Sequence, residues 1–195
     1  LQAISDTSKI TKVKSSIISR LDVVPWKAFI YAESARNISI YGGGEIDASG
    51  DSECFRDGIE NSPNRHYGLF IINSENVLVE NLSLKSSAFW MQRYFNCKGV
   101  RVKGLKVFNH ANKNNDGLDI DSSEDVIVSD CLIDASDDAI VIKSNGENPS
   151  KNISISNCII ATHASALKFG TGSVGGFENV TISNIVIRRS KSKEM

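Results

Sequence analysis

Helix periodicity is what this sequence most conspicuously lacks. No amphipathic run of ten or more residues separates its apolar segments, which excludes a doubly wound α/β protein, whose strands alternate with helices. Net charge is nearly absent as well: 22 Lys and Arg stand against 23 Asp and Glu, a balance of −1. The average field therefore attracts neither nucleic acid nor an anionic membrane. No apolar run approaches the length that spans a bilayer. Prolines number only three and cysteines four. The cysteines (Cys54, Cys97, Cys131 and Cys158) form no CxxC pair and no zinc spacing, and are too sparse for a disulfide scaffold. The chain starts at Leu1 without a signal segment, so its beginning is expected to have been removed and no compartment can be read from it. What remains, 195 residues of which 41% are hydrophobic, is enough for one globular domain with a real core.

The chain is organised by a repeat. It reads NISIYGGGEI from Asn37, NVLVENLSL from Asn76, GVRVKGLKV from Gly99, DVIVSDCLI from Asp125, NISISNCII from Asn152 and NVTISNIVI from Asn179. Successive starts lie 39, 23, 26, 27 and 27 residues apart, and the long first gap holds a polar insertion at about 51–67. Alternation with period two marks strands with one buried face. Units this short cannot close a core alone and must stack, which predicts an all-β fold, a parallel β-helix forming one domain over 1–195. Two inward columns follow: Ile38, Val77, Val100, Val126, Ile153, Val180, and Ile40, Val79, Val102, Val128, Ile155, Ile182. A third, Leu82, Leu105, Cys131, Cys158, Ile185, makes two of the cysteines buried hydrophobes. The recurring asparagines are expected to stack their amides and satisfy turn backbone.

A further strand precedes each repeat: GLFIIN, QRYFN, GLDIDS, AIVIKS and ALKFGT. With Leu118/Ile120, Ile140/Ile142 and Leu167/Phe169 inward, the outward columns are Phe70, Arg93, Asp119, Val141, Lys168 and Ile72, Phe95, Asp121, Lys143, Gly170. Asp116 and Asp138 then occupy one position in successive coils, about 4.8 Å apart along the stack, with Asp137 beside them. Carboxylates this close separate their pKa values, so that one holds a proton while another is ionised, as acid/base cleavage of a glycosidic bond requires. Arg93, Lys143 and Lys168 flank the trio and suit an acidic sugar; Lys143 alternatively pairs with Asp121 one coil below. Phe70, Phe95 and Trp90 fit sugar stacking or packing beneath a loop.

At these residues the chain resembles the polygalacturonase family of glycoside hydrolases, pectin-degrading right-handed β-helices. The family's Asn-Thr-Asp-Gly motif is matched by Asn114, Asn115, Asp116 and Gly117, and its Asp-Asp motif by Asp137 and Asp138. IYGGGEIDASG (40–50), SSAFWMQRYFNCKGVRVKGLKV (86–107) and FGTGSVGGFENVTISN (169–184) resemble further family segments. The resemblance implies inverting hydrolysis of α-linked galacturonic acid residues, with Asp137 as general acid and Asp116 and Asp138 activating water. It implies no metal and no organic cofactor. Lys143, Lys168, Arg93, Asn114, Asp119 and His163 are expected to contact an acidic polysaccharide. An exported protein, extracellular or periplasmic, and a monomer when full length, is implied too.

Two departures qualify the match. Where the family carries Gly-His-Gly, Ser165 takes the histidine's place and His163 stands two residues earlier; a missing histidine is also a feature of relatives that cut rhamnogalacturonan. The family's Arg-x-Lys motif lies beyond this chain, and Arg188 and Arg189 are wrongly placed to replace it. The sequence thus reads as a central fragment, incomplete at both ends and weak or inactive by itself. Two other classes stay open. A β-helical polysaccharide lyase would use calcium on Asp116, Asp119, Asp121 and Asp138, and a non-catalytic carbohydrate-binding β-helix would leave the acids merely solvated.

Overall fold

Three parallel sheets stacked into a β-solenoid make up the chain. The computed structural model describes residues 1–13, 27–56 and 64–190; the middle of the expected insertion, 57–63, lies outside them. The first sheet contains Lys27–Glu33, Tyr67–Ile72, Gln92–Phe95, Leu118–Asp121, Ile140–Ser144 and Leu167–Ser173. The second, built by the repeat, contains Arg36–Tyr41, Glu75–Glu80, Lys98–Lys103, Glu124–Ser129, Ser150–Ser156 and Phe177–Ser183. The third contains Glu45–Asp47, Ser83–Lys85, Lys106–Asn109, Leu132–Ala135, Ile159–Thr162 and Val186–Ile187. Thr11–Lys12 adds one antiparallel strand to the first sheet, against Lys27 and Ala28. The one helical turn among the described residues is 3-10, Glu53–Phe55, and no helix there is long and apolar enough to cross a membrane.

The expected columns are the observed ladders. Ile38 pairs with Val77, Val77 with Val100, Val100 with Val126, Val126 with Ile153 and Ile153 with Val180. A one-residue slip would turn each of these side chains to solvent, so burial of one face fixes the register. Cys131 and Cys158 are free, buried and part of the main core, as their column requires.

The recurring asparagine is explained by the backbone as well as by its amide. Asn37, Asn76, Gly99, Asp125, Asn152 and Asn179 have φ of 59°, 56°, 70°, 58°, 55° and 53°. Left-handed backbone costs an L-residue roughly 1–2 kcal/mol, and Gly, Asn and Asp bear it most readily. That is why Gly99 and Asp125 substitute for asparagine at this corner. Asn76 Nδ2 donates to Asn37 Oδ1 at 2.7 Å, Asn152 Nδ2 to Asp125 Oδ1 at 2.9 Å and Asn179 Nδ2 to Asn152 Oδ1 at 3.0 Å. Gly99, lacking a side chain, interrupts this ladder.

Two expectations in the first sheet need correction. The ladder between Ile140–Ser144 and Leu167–Ser173 shifts register after Ile142, so Gly170 drops out of the Lys143 column. Phe169, expected inside, is half exposed, its ring 5.2 Å from that of Phe177, because its strand is paired on one side only.

His66, at the return of the insertion, is buried edge-on against Phe55, with Nδ1 3.0 Å from the Tyr67 carbonyl. Burial pushes its imidazole down to about 4 from 6.5. Between those values the unfolded chain binds a proton that the fold excludes, so stability is lost as pH falls through that window. The loss due to His66 is expected to be roughly 3 kcal/mol. Urea unfolding at pH 7 and pH 4.5 checks this: the drop in the His66→Gln variant is expected to be smaller than the wild-type drop by most of that amount.

Candidate active site

Asp116 ends a loop that leaves the third sheet at Asn109 and enters the first at Leu118. Asn109 is fully buried; its Nδ2 donates to the Asp116 carbonyl at 2.9 Å, and its Oδ1 accepts the Ser87 N–H at 2.9 Å. Asn115 Nδ2 donates to the carbonyls of Ser87 and Phe89, both at 2.8 Å. Arg65, from the insertion, lies over the Phe89 ring at 4.9 Å. It donates to the Ala88 carbonyl at 2.7 Å, to Asn114 Oδ1 at 3.1 Å and to the Lys113 carbonyl. A Cβ on Gly117 would sit 2.5 Å from Ile133 Cγ2 and 2.6 Å from the Ala139 carbonyl. Only glycine lets the chain approach closely enough for Gly117 N–H to reach the Asp138 carbonyl at 3.0 Å.

Leu118 pairs with Ile140 and Ile140 with Leu167. Two residues upstream in each coil, this register stacks Asp116, Asp138 and Ser165. Asp138 is buried; its Oδ2 accepts Lys168 Nζ at 2.6 Å and its Oδ1 the Ser165 N–H at 3.0 Å. Asp137 is half-buried, its Oδ1 accepting the Asp138 N–H at 3.0 Å and its carbonyl the Thr162 hydroxyl. The environment separates the buried pair. Burial, then the charges of Asp119 and Asp137, holds the Asp116 carboxyl well above the usual carboxylate range, against the opposing pull of Lys143. Burial also pushes Asp138 up, but the hydrogen bonds from Lys168 and Ser165 outweigh it and leave the group below its ordinary value. The trio thus offers two stacked carboxyls whose surroundings push their pKa values in opposite directions, and a third, half-buried acid beside them: the inventory for general acid/base chemistry.

Other expected residues fall less evenly. Lys143 is buried against the Trp90 ring at 4.5 Å and pairs with Asp119 Oδ1 at 3.8 Å, not with Asp121. Asp121 is taken by Arg93 and by Asn145, whose N–H and Nδ2 reach it at 2.9 and 3.0 Å. Arg93 is a correction. It is 0% exposed, enclosed by the rings of Phe95 at 4.8 Å, Trp90 at 5.1 Å and Phe70 at 5.4 Å, and has no open side for a substrate. The same three aromatics are buried with Val13, Tyr67 and Phe89 in a second apolar cluster, so they pack and do not present faces to sugar. Asn114, with φ of 50°, has its oxygen held by Arg65 beside the trio. His163 is exposed and turns to His110, ring centroids 5.2 Å apart, toward the third sheet. There His110 Nε2 meets Asp134 Oδ1 at 2.8 Å, and Arg188 pairs with the same carboxylate at 3.6 Å.

Sequence reading missed Arg65, Asn109 and Ser87, which hold the Asp116 loop. Their signal is polar side chains bordering strands, which becomes specific only when the partner loops are known. Among the described residues no group of three or more His, Cys, Asp or Glu is arranged to hold a metal ion. Asp121, one of four oxygen donors considered for calcium, is committed to Arg93 and Asn145.

Comparison with known proteins identifies the family. The family model described as Glycosyl hydrolases family 28 matches residues 7–194. A polygalacturonase of Chamaecyparis obtusa is 30% identical over 148 residues, 70% of this chain and 29% of the relative. An exopolygalacturonase of Thermotoga maritima superposes with a TM-score of 0.84 at 21% identity, covering 97% of this chain and 54% of that one. A polygalacturonase of Erwinia carotovora gives 0.79 at 23% identity, over 96% and 53%. The chain therefore spans about half of these solved structures and under a third of the curated relative.

Proposed function

Because this chain belongs to glycosyl hydrolases family 28, we propose that its whole protein is a glycosidase that hydrolyses α-linked, galacturonic acid-containing pectic polysaccharide with inversion at the anomeric carbon. The stacking of Asp116 and Asp138 with Asp137 alongside is the observation that supports this most. In the proposed reaction Asp137, the most outward of the three, protonates the leaving glycosidic oxygen. Asp138, held ionised, accepts the proton of the attacking water, and Asp116 orients that water from the coil below. Lys143 and Asn114 border the docked sugar, and Lys143 places positive charge in the wall that meets a uronate carboxylate. The enzyme works without metal or organic cofactor, as an exported monomer, where pectic polymer is found.

Ser165 in the histidine position favours a second substrate reading, rhamnogalacturonan in place of homogalacturonan. One experiment addresses both substrate and reaction: incubate the full-length protein with polygalacturonate and with rhamnogalacturonan, and follow reducing ends and ultraviolet absorbance. New reducing ends without an absorbing unsaturated product are expected on at least one polymer. An absorbing product would assign an eliminating lyase and overturn the reading.

A further inference from the structure

The two lysines beside the trio differ in their surroundings. Lys143 lies inside the wall on the face of Trp90. Lys168 is about one-third exposed, yet its ammonium sits 2.6 Å from Asp138 Oδ2, while the second oxygen of that carboxylate is held by the Ser165 N–H. Both contacts come from the same short segment of the next coil, so Asp138 is gripped from above at two points. We propose that Lys168 is a positioning residue for Asp138 and not a direct sugar ligand: it keeps that carboxylate oriented and ionised, and so decides which of the three acids serves as base. The inference rests on the hydrolase reading for its catalytic meaning, though the clamp itself does not.

The charges facing Asp138 make the consequence one-sided. Asp116 stacks on it from the coil below and Asp137 precedes it in the same turn; Asp119 lies with Lys143 further along the wall. His110 and His163 meet each other on the third-sheet side of the turn. Lys168 is the cation in contact with the carboxylate; its hydrogen bond to Asp138 above all, followed by the charges of Asp138, Asp116 and Asp137, raises its own pKa against the opposing effect of burial. Without it, burial and the neighbouring carboxylates push Asp138 toward protonation. An opposite charge within hydrogen-bond reach holds an aspartate down by about 1–3 pH units.

Lys168→Met and Lys168→Arg in the full-length protein test the proposal by two routes. In the profile of kcat/KM against pH, the acidic limb of Lys168→Met is expected to move up by about 1–3 units, with kcat reduced and KM on acidic substrate little changed. Lys168→Arg is expected to restore most of the limb. A raised KM with an unmoved limb would assign Lys168 to substrate binding and overturn the proposal. Carbon-13 titration of the Asp138 carboxyl needs no activity: its midpoint is expected to rise by the same about 1–3 units in Lys168→Met. An unmoved midpoint overturns the clamp. A moved midpoint in a protein that cleaves neither pectic polymer upholds the clamp and removes the hydrolase reading instead.

Discussion

Replacing Asp137 by asparagine in the full-length protein is expected to lower kcat on its pectic substrate by about 10²–10⁴-fold, with KM nearly unchanged. The size follows from the step removed. Asparagine cannot deliver a proton to the leaving oxygen, and no other outward-facing acid of the trio is free to do so: Asp138 is clamped by Lys168 and Ser165, and Asp116 is buried beneath it. The substitution is structurally mild. Asparagine retains an oxygen for the Asp138 N–H, and the Thr162 hydroxyl binds the backbone carbonyl at 137, not the side chain. Thermal unfolding should therefore be unchanged while reducing-end assays collapse. Near wild-type turnover by a folded Asp137→Asn protein would remove Asp137 from the acid role.

The second large effect is on stability. Arg93→Ala is expected to cost about 3–5 kcal/mol, because it leaves the fully buried Asp121 carboxylate without its cation. For a chain of this size that corresponds to a fall in Tm of about 6–20 °C. Three ring contacts of the guanidinium are lost as well, from Phe70, Trp90 and Phe95. The double variant Arg93→Met/Asp121→Leu should recover part of the loss, since no unpaired charge remains. Recovery stays partial because Asp121 also accepts two hydrogen bonds from Asn145. Differential scanning calorimetry distinguishes this from the role first expected of Arg93: a substrate-contacting arginine would leave Tm almost unmoved and raise KM.

The contrast between Arg93 and the core columns shows what a sequence of this kind discloses. Alternation states which side of a strand a residue faces, and for inward faces that is the whole answer, since the only thing inside is the next coil. Alternation alone therefore stacks Val77, Val100 and Val126 in order. The same logic placed Asp116 over Asp138, because both precede strands in matched register. Outward faces are different. What covers them comes from distant segments, and nothing in QRYFN reveals that Phe70, Trp90 and the Tyr67 hydroxyl close over Arg93. Register was also illegible where the backbone departs from regular pairing, as after Ile142, where a shift removes Gly170 from its column. The interchange of Asn, Gly and Asp at the left-handed corner was visible as a pattern, but its cause lay in φ angles that residue type only suggests.

The most direct measurement is the configuration of the first-formed reducing end, followed by proton NMR as the full-length protein cleaves its α-linked pectic substrate, before mutarotation scrambles the signal. A base that activates water opposite a separate proton donor must deliver the β anomer. Initial release of the α anomer would mean that a carboxylate attacks the sugar itself, and the assignment of Asp116, Asp137 and Asp138 to a single-displacement reaction would be wrong.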